Sequence, residues 1–125
     1  MIIDTDIIIW YMRGNEKARI ALDKHLGFHI SVITYMELVQ GMRNKEELQE
    51  LRKALKEWNS NILFISEVIS AKALFFIERY YLSHSLELAD ALIAATAISH
   101  GIPILTGNYK HYQMINELEI KRFKH

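Results

Sequence analysis

Cysteine is missing from this chain, which excludes disulfide staples and thiolate metal sites and suits a reducing cytoplasm, the localisation we expect. Net charge is missing as well. Fifteen basic side chains balance fifteen acidic ones, so the bulk field does not single out a partner, and the composition is that of an ordinary globular protein. No apolar run approaches the ~20 residues that span a bilayer, and no basic segment leads into an apolar signal core. We therefore expect a protein that is neither exported by a signal nor anchored in a membrane. Proline occurs once, as Pro103, and no linker rich in Pro, Gly or Ser, no repeat and no low-complexity tract divides the sequence. Residues 1–125 are expected to form one domain, long enough to bury a core unaided.

What is present is a regular alternation of strand and helix patterns. Ile2 to Asp4 reads as a short strand, with Asp6 or Thr5 placed to cap a helix through Met12. Glu16 to Leu26 reads as a helix stopped by Gly27, and Phe28 to Val32 as a β-branched strand. Thr34 to Gly41 then looks like a short helix, and Lys45 to Trp58 is amphipathic, with Leu48, Leu51, Leu55 and Trp58 on one face. Asn61 to Ile65 is a third strand, and Ser66 caps a long helix through Tyr81. A helix starting at Ser85 ends at Gly101 with Pro103 just beyond. Ile102 to Thr106 is a fourth strand, and a terminal edge strand lies near Glu119 to Phe123. The order predicts an α/β fold with a central, mostly parallel sheet of four to five strands flanked by helices on both faces. Functional residues of such sheets gather beyond the carboxyl ends of the strands.

Three of the four aspartates stand where a solubilising role makes little sense. Asp4 and Asp6 interrupt MIIDTDIIIW, and Asp90 lies in LELADALIAATAISH, a helix apolar nearly all round. Ionised carboxylates in such surroundings need pairing, hydrogen bonds or a cation. Asp4 ends the first strand, Asn108 follows the fourth, and Glu37 lies in the first turn of the helix after the second, so a parallel sheet brings them to one rim. Each also has a purely structural role open to it. Asp4 or Asp6 serves as a helix cap, Thr34-x-x-Glu37 matches a capping box, Asp90 is a satisfied core acid, and Asn108 is a turn residue.

The same residues carry a resemblance across nearly the whole chain. IIDTDIIIW, SVITYMELVQG and LADALIAATAISHGIPILTGNYKHY together resemble the three ordered motifs of the PIN-domain ribonucleases, and among them the VapC-type toxins of prokaryotic toxin–antitoxin pairs. The resemblance implies a PIN-like three-layer fold and a Mg²⁺-dependent endoribonuclease, Mn²⁺ substituting, whose metal-binding and catalytic acids are Asp4, Glu37 and Asp90. Asp6 stands where the family often has asparagine, and Thr106 and Asn108 match supporting polar positions. Asn108 and His111 occupy the region where many members have a fourth acid. The resemblance further implies an RNA substrate, a VapB-like antitoxin and a homodimer.

Carboxylates do not attract RNA, so local basic residues must; Arg13, Arg43, Lys45 and Lys110 are the candidates near the rim. None of the six histidines forms a close metal-binding pair, and His111 alone lies near the motifs. Phe75-Phe76 and Tyr80-Tyr81 read as core or dimer surface. A phosphatase using D-x-D would need Gly-Thr after Asp6 where Ile7-Ile8 stand, and a phospho-accepting receiver would need an aspartate after the third strand, where Asn61 to Ser66 supply none. The remaining alternative is a catalytically silent PIN-like scaffold that binds RNA or a partner protein.

Overall fold

The chain runs β1 (Ile2–Ile3), α1 (Thr5–Met12), α2 (Glu16–Asp23), β2 (His29–Ser31), α3 (Val32–Gln40), α4 (Lys45–Glu57), β3 (Asn61–Leu63), α5 (Glu67–His84), α6 (Leu88–Ser99), β4 (Ile104–Thr106), α7 (Tyr109–Tyr112) and β5 (Ile120–Arg122). In this computed structural model, which describes all 125 residues, the strands form one sheet in the order β3-β2-β1-β4-β5, every pairing parallel. The expected α/β architecture is borne out, with five strands.

Strand alternation divides the core in two. Ile2 and Ile104, paired in register, face a cluster built with Ile69, Phe76 and Ile93 of α5 and α6. Ile3 and Leu105, the next pair, face the other cluster, with Ile7, Leu22, Leu51 and Leu55 of α1, α2 and α4. Both faces are therefore covered, as strands apolar on both sides require. From β1 the chain steps outward through β2 to β3, then recrosses and continues through β4 to β5 on the other side of β1. This reversal opens a crevice beyond the carboxyl ends of β1 and β4, the usual address of sites in open α/β sheets.

Several boundaries differ from the sequence expectation, each for a capping reason. Of the caps the sequence offers, Asp4 rather than Asp6 or Thr5 is the N-cap of α1, and its carboxylate accepts the Thr5 amide at 2.9 Å. β1 therefore ends at Ile3. Ser31 caps α3 by accepting the Ile33 amide at 3.0 Å, so Thr34 lies inside the helix and Glu37 in its second turn, not its first. The capping-box reading of Thr34-x-x-Glu37 fails, because Ser31 takes the cap one turn earlier. Ser85 does not start α6; it closes α5 in a left-handed conformation, φ 56°, and α6 starts at Leu88 with no side-chain cap.

Candidate active site

The most deeply buried carboxylate is Asp4, 4% exposed. Its cap position places the carboxylate at the end of β1, and the hydroxyl of Thr106, at the end of β4, donates to Oδ2 at 2.8 Å across the crevice. Thr106 in turn accepts the Asn108 amide at 2.9 Å, so the turn after β4 is tied to the same acid. Burial pushes the Asp4 carboxyl above the usual range, with the Thr106 and Thr5 hydrogen bonds opposing it.

Asp6 and Asp90 stand beside it. Asp6 Oδ2 accepts the Gly107 amide at 2.9 Å, and a Cβ at Gly107 would come within 2.5 Å of that oxygen, so any larger residue there would have to displace the Asp6 carboxylate. Burial, then the charge of Asp4, pushes Asp6 up to about 6. Asp90, on the first turn of α6 with a side chain 19% exposed, has Oδ2 3.2 Å from His111 Nδ1. Its Oδ1 accepts the Tyr112 hydroxyl at 3.3 Å. Burial raises Asp90 to about 6; His111 opposes this and the Asp4 charge adds to it. Tyr112 is itself fully buried, and burial followed by the charges of Asp4 and Asp90 drives its phenol upward.

Glu37 differs in being exposed. The Thr5 hydroxyl donates to its Oε1 at 2.8 Å and lies 3.0 Å from Thr34 Oγ1. Hydroxyls thus link the acids: Glu37 meets Thr5 next to Asp4, Asp4 meets Thr106, and Asp90 meets Tyr112. No three His, Asp or Glu side chains are drawn together tightly enough to form a finished cation cage. The donors nevertheless suit a hard divalent ion. They are all oxygen, no Lys or Arg pairs with Asp4, Asp6 or Asp90, and Asp6 Oδ1 is buried without a hydrogen-bond partner.

A PIN domain profile matches residues 1–116. The chain belongs to the PIN-domain family. This PIN domain is 32% identical to Ribonuclease VapC10 of Mycobacterium tuberculosis over 123 residues, covering 95% of this chain and 90% of that protein. It is 34% identical to Ribonuclease VapC1 of Rickettsia felis, covering 96% and 93%. Among solved structures it superposes on a toxin–antitoxin complex from Klebsiella pneumoniae with a TM-score of 0.79 and 31% identity, covering 94% of this chain and 93% of that one.

The four basic candidates of this PIN domain separate. Arg13 and Arg43 line a cleft of about 540 Å³ with Glu37, Leu38, Met12 and Met42, between α1, α3 and α4. Arg43 is held there by Glu47, whose Oε2 lies 2.9 Å from its Nη2. Lys45 instead borders a shallow hollow with Arg43 and Leu48. Lys110 is exposed on α7, on the Asp90 side. Sequence reasoning missed Thr5, Thr34 and Tyr112 as partners of the acids. Thr5 and Thr34 read as capping signals, and Tyr112 gains its meaning only when α7 packs beneath α6.

Proposed function

We propose that this PIN domain is the toxin of a toxin–antitoxin pair, an endoribonuclease that hydrolyses RNA phosphodiester bonds with Mg²⁺ or Mn²⁺. The observation that carries the reading is the convergence of Asp4, Asp6 and Asp90 on one crevice, where burial raises every carboxyl and no Lys or Arg relieves them. Asp4, Glu37 and Asp90 are the acids we assign to hold the ion, and Asp6, with its unpartnered oxygen, supports them. A bound divalent ion neutralises such a cluster, orients a phosphate and makes water a better nucleophile at neutral pH. Thr106 fixes the direction of the Asp4 carboxylate and Thr5 that of Glu37. Arg13 and Lys110, which have no carboxylate partner, hold backbone phosphates on the two sides of the crevice.

A VapB-like antitoxin is the partner we assign, and the cleft beside Glu37 is the recess in which a segment of it reaches an acid of the site. A second copy of the chain is the other partner. Val68, Phe75 and Leu82 are 69%, 54% and 94% exposed on α5. Antiparallel pairing of two such helices about Phe75 sets Val68 against Leu82, so the apolar stripe is self-complementary.

The test is brief expression of the protein followed by sequencing of RNA fragments, with Asp90→Asn as control, and cleavage of an RNA panel by purified protein with Mn²⁺. New 5′ ends that require Asp90 support the reading. The scaffold reading keeps one observation in its favour, the absence of a finished cation cage; RNA binding with no cleavage by either metal would establish it.

A further inference from the structure

Two aromatic rings flank the crevice, and each is covered by a side chain from β5 or the residues after it. Arg122 lies 4.1 Å over the Tyr109 ring, and its backbone position is set by strand pairing opposite Thr106. The second ring is different. The imidazole of His125 stacks on the Trp10 indole with centroids 3.8 Å apart and planes 18° from parallel, while the Arg13 guanidinium stands 5.6 Å from the same indole. His125 lies beyond the last strand pairing and is exposed.

Trp10 is close to the chemistry. Asp6, Trp10 and the C-cap Arg13 follow one another at i, i+4 and i+7 along one side of α1, so the Cα atoms of Trp10 and Arg13 lie about 6 Å and about 10 Å further along the helix axis than that of Asp6. The segment that carries His125 is anchored at the same place. Phe123 donates its amide to Thr106 at 2.8 Å, and its carbonyl lies beside Gly107, the residue bonded to Asp6.

The geometry points to Trp10 as a stacking site for one unpaired RNA base, with the His125 imidazole occupying the place of that base until RNA displaces it. A flat aromatic ring in near-parallel contact with an indole has the arrangement a nucleobase adopts on a stacking platform, and such platforms accept any base because each has a π-face. Arg13 stands where a cation serves both the ring and an adjoining phosphate. Lys121, Arg122 and Lys124, exposed on the same segment, supply positive charge for the strand. A base held in this way must be free of a duplex, so the substrate class is single-stranded or looped RNA. The inference rests on the ribonuclease reading for the identity of its ligand, and it adds a positioning residue one helical turn beyond Asp6.

The test uses RNA oligomers with chelator present, so that the metal-dependent cleavage proposed above cannot proceed, and the Trp58→Phe background, so that emission reports Trp10 alone. RNA should quench that emission. An abasic nucleotide walked along the oligomer should weaken binding by about ten-fold at one position, and in Trp10→Leu that sensitivity should vanish. His125→Ala should tighten binding by about three-fold, because a competitor has been removed. Equal binding of every abasic oligomer, or weaker binding by His125→Ala, would overturn the proposal; the abasic series needs no change to the protein, so a folding defect in Trp10→Leu does not blur it. Parallel Mn²⁺ assays on the same RNA separate the two readings. Cleavage without any abasic effect removes the stacking site alone, and an abasic effect without cleavage removes the ribonuclease alone.

Discussion

The crevice has two walls with different physics. On the α6–α7 side, Asp4 and Asp90 are sunk into the fold, each bound by hydroxyls from elements far away in sequence: Thr106 from β4 and Tyr112 from α7. On the α3 side, Glu37 is exposed and meets the site through the single hydroxyl of Thr5. Identical chemistry, a carboxylate, is thus rigid and strained by burial on one wall and loosely held on the other. In the function proposed above, the rigid wall fixes where chemistry happens, and the open wall, with Arg13 and the adjoining cleft, admits strand and partner.

The comparison breaks most sharply if the buried acids prove dispensable. Asp4→Asn and Asp90→Asn should each lower Mn²⁺-dependent RNA cleavage by about a thousand-fold or more, measured as kcat/KM on a fluorogenic oligomer. Both should remain folded, and their metal-free Tm should match or exceed that of the parent. Asparagine caps a helix as well as aspartate, and each exchange removes a carboxylate that burial penalises. Glu37→Gln should cost less, about thirty-fold, most of it restored by higher Mn²⁺. An equal loss at Glu37 would mean that the two walls are not distinct.

Thr106→Val examines what holds the rigid wall. Losing the one hydroxyl that donates to Asp4 Oδ2 should raise the Mn²⁺ needed for half-maximal cleavage by about ten-fold and lower stability by about 1–2 kcal/mol, read by denaturant titration. A variant that keeps its Mn²⁺ dependence would show that the cap bond and the Tyr112 hydroxyl suffice to aim Asp4.

How legible all this was differs between the walls. The parallel order of elements and the oddity of Asp4 and Asp90 were visible because each acid breaks an apolar run, and burial of such a run follows from its composition. Asp6 was visible for the same reason, but its duty was not. The cap fell to Asp4, since Ile3 is the last residue paired in the sheet and the next side chain is free to turn back on the helix. Glu37 was located on the correct helix and the wrong turn, because Ser31 and Thr34 are both acceptable caps and only the end of β2 selects between them. Tyr112 could not be seen at all. Its hydroxyl reaches Asp90 across 22 residues, a relation that exists only after α6 and α7 pack.

Acid should reveal the penalty stored on the rigid wall. Asp6 and Asp90 have carboxyls raised to about 6 in the folded chain from an ordinary value of 3.8. Groups raised in this direction add stability below their ordinary value and lose it as pH climbs through about 6. Metal-free protein should therefore melt about 3–5 °C lower at pH 7.5 than at pH 5, a modest change because water still reaches both groups. Mn²⁺, which competes with protons for these oxygens, should raise Tm at pH 7.5 and leave it nearly unchanged at pH 5. The reverse trend would mean that the carboxyls are not held under this penalty.

The smallest effect separates the two arginines of the open wall. Arg43 gives its Nη2 and Nε to Glu47 Oε2, at 2.9 and 3.3 Å, and its amide to Oε1 at 2.7 Å. It must surrender that partner before it meets a phosphate, whereas Arg13 has no carboxylate to leave and already lies over Trp10. With chelator present, Arg13→Ala should weaken RNA binding by about four-fold and reduce the salt slope by close to one counterion. Arg43→Ala should change affinity by less than about two-fold, since an exposed ion pair is given up to gain a contact of similar strength. Filter binding across a salt series distinguishes the slopes directly. A larger slope change at Arg43 would move the path of the strand from the Trp10 side of α1 into the cleft beside Glu37, the recess we assign to the antitoxin.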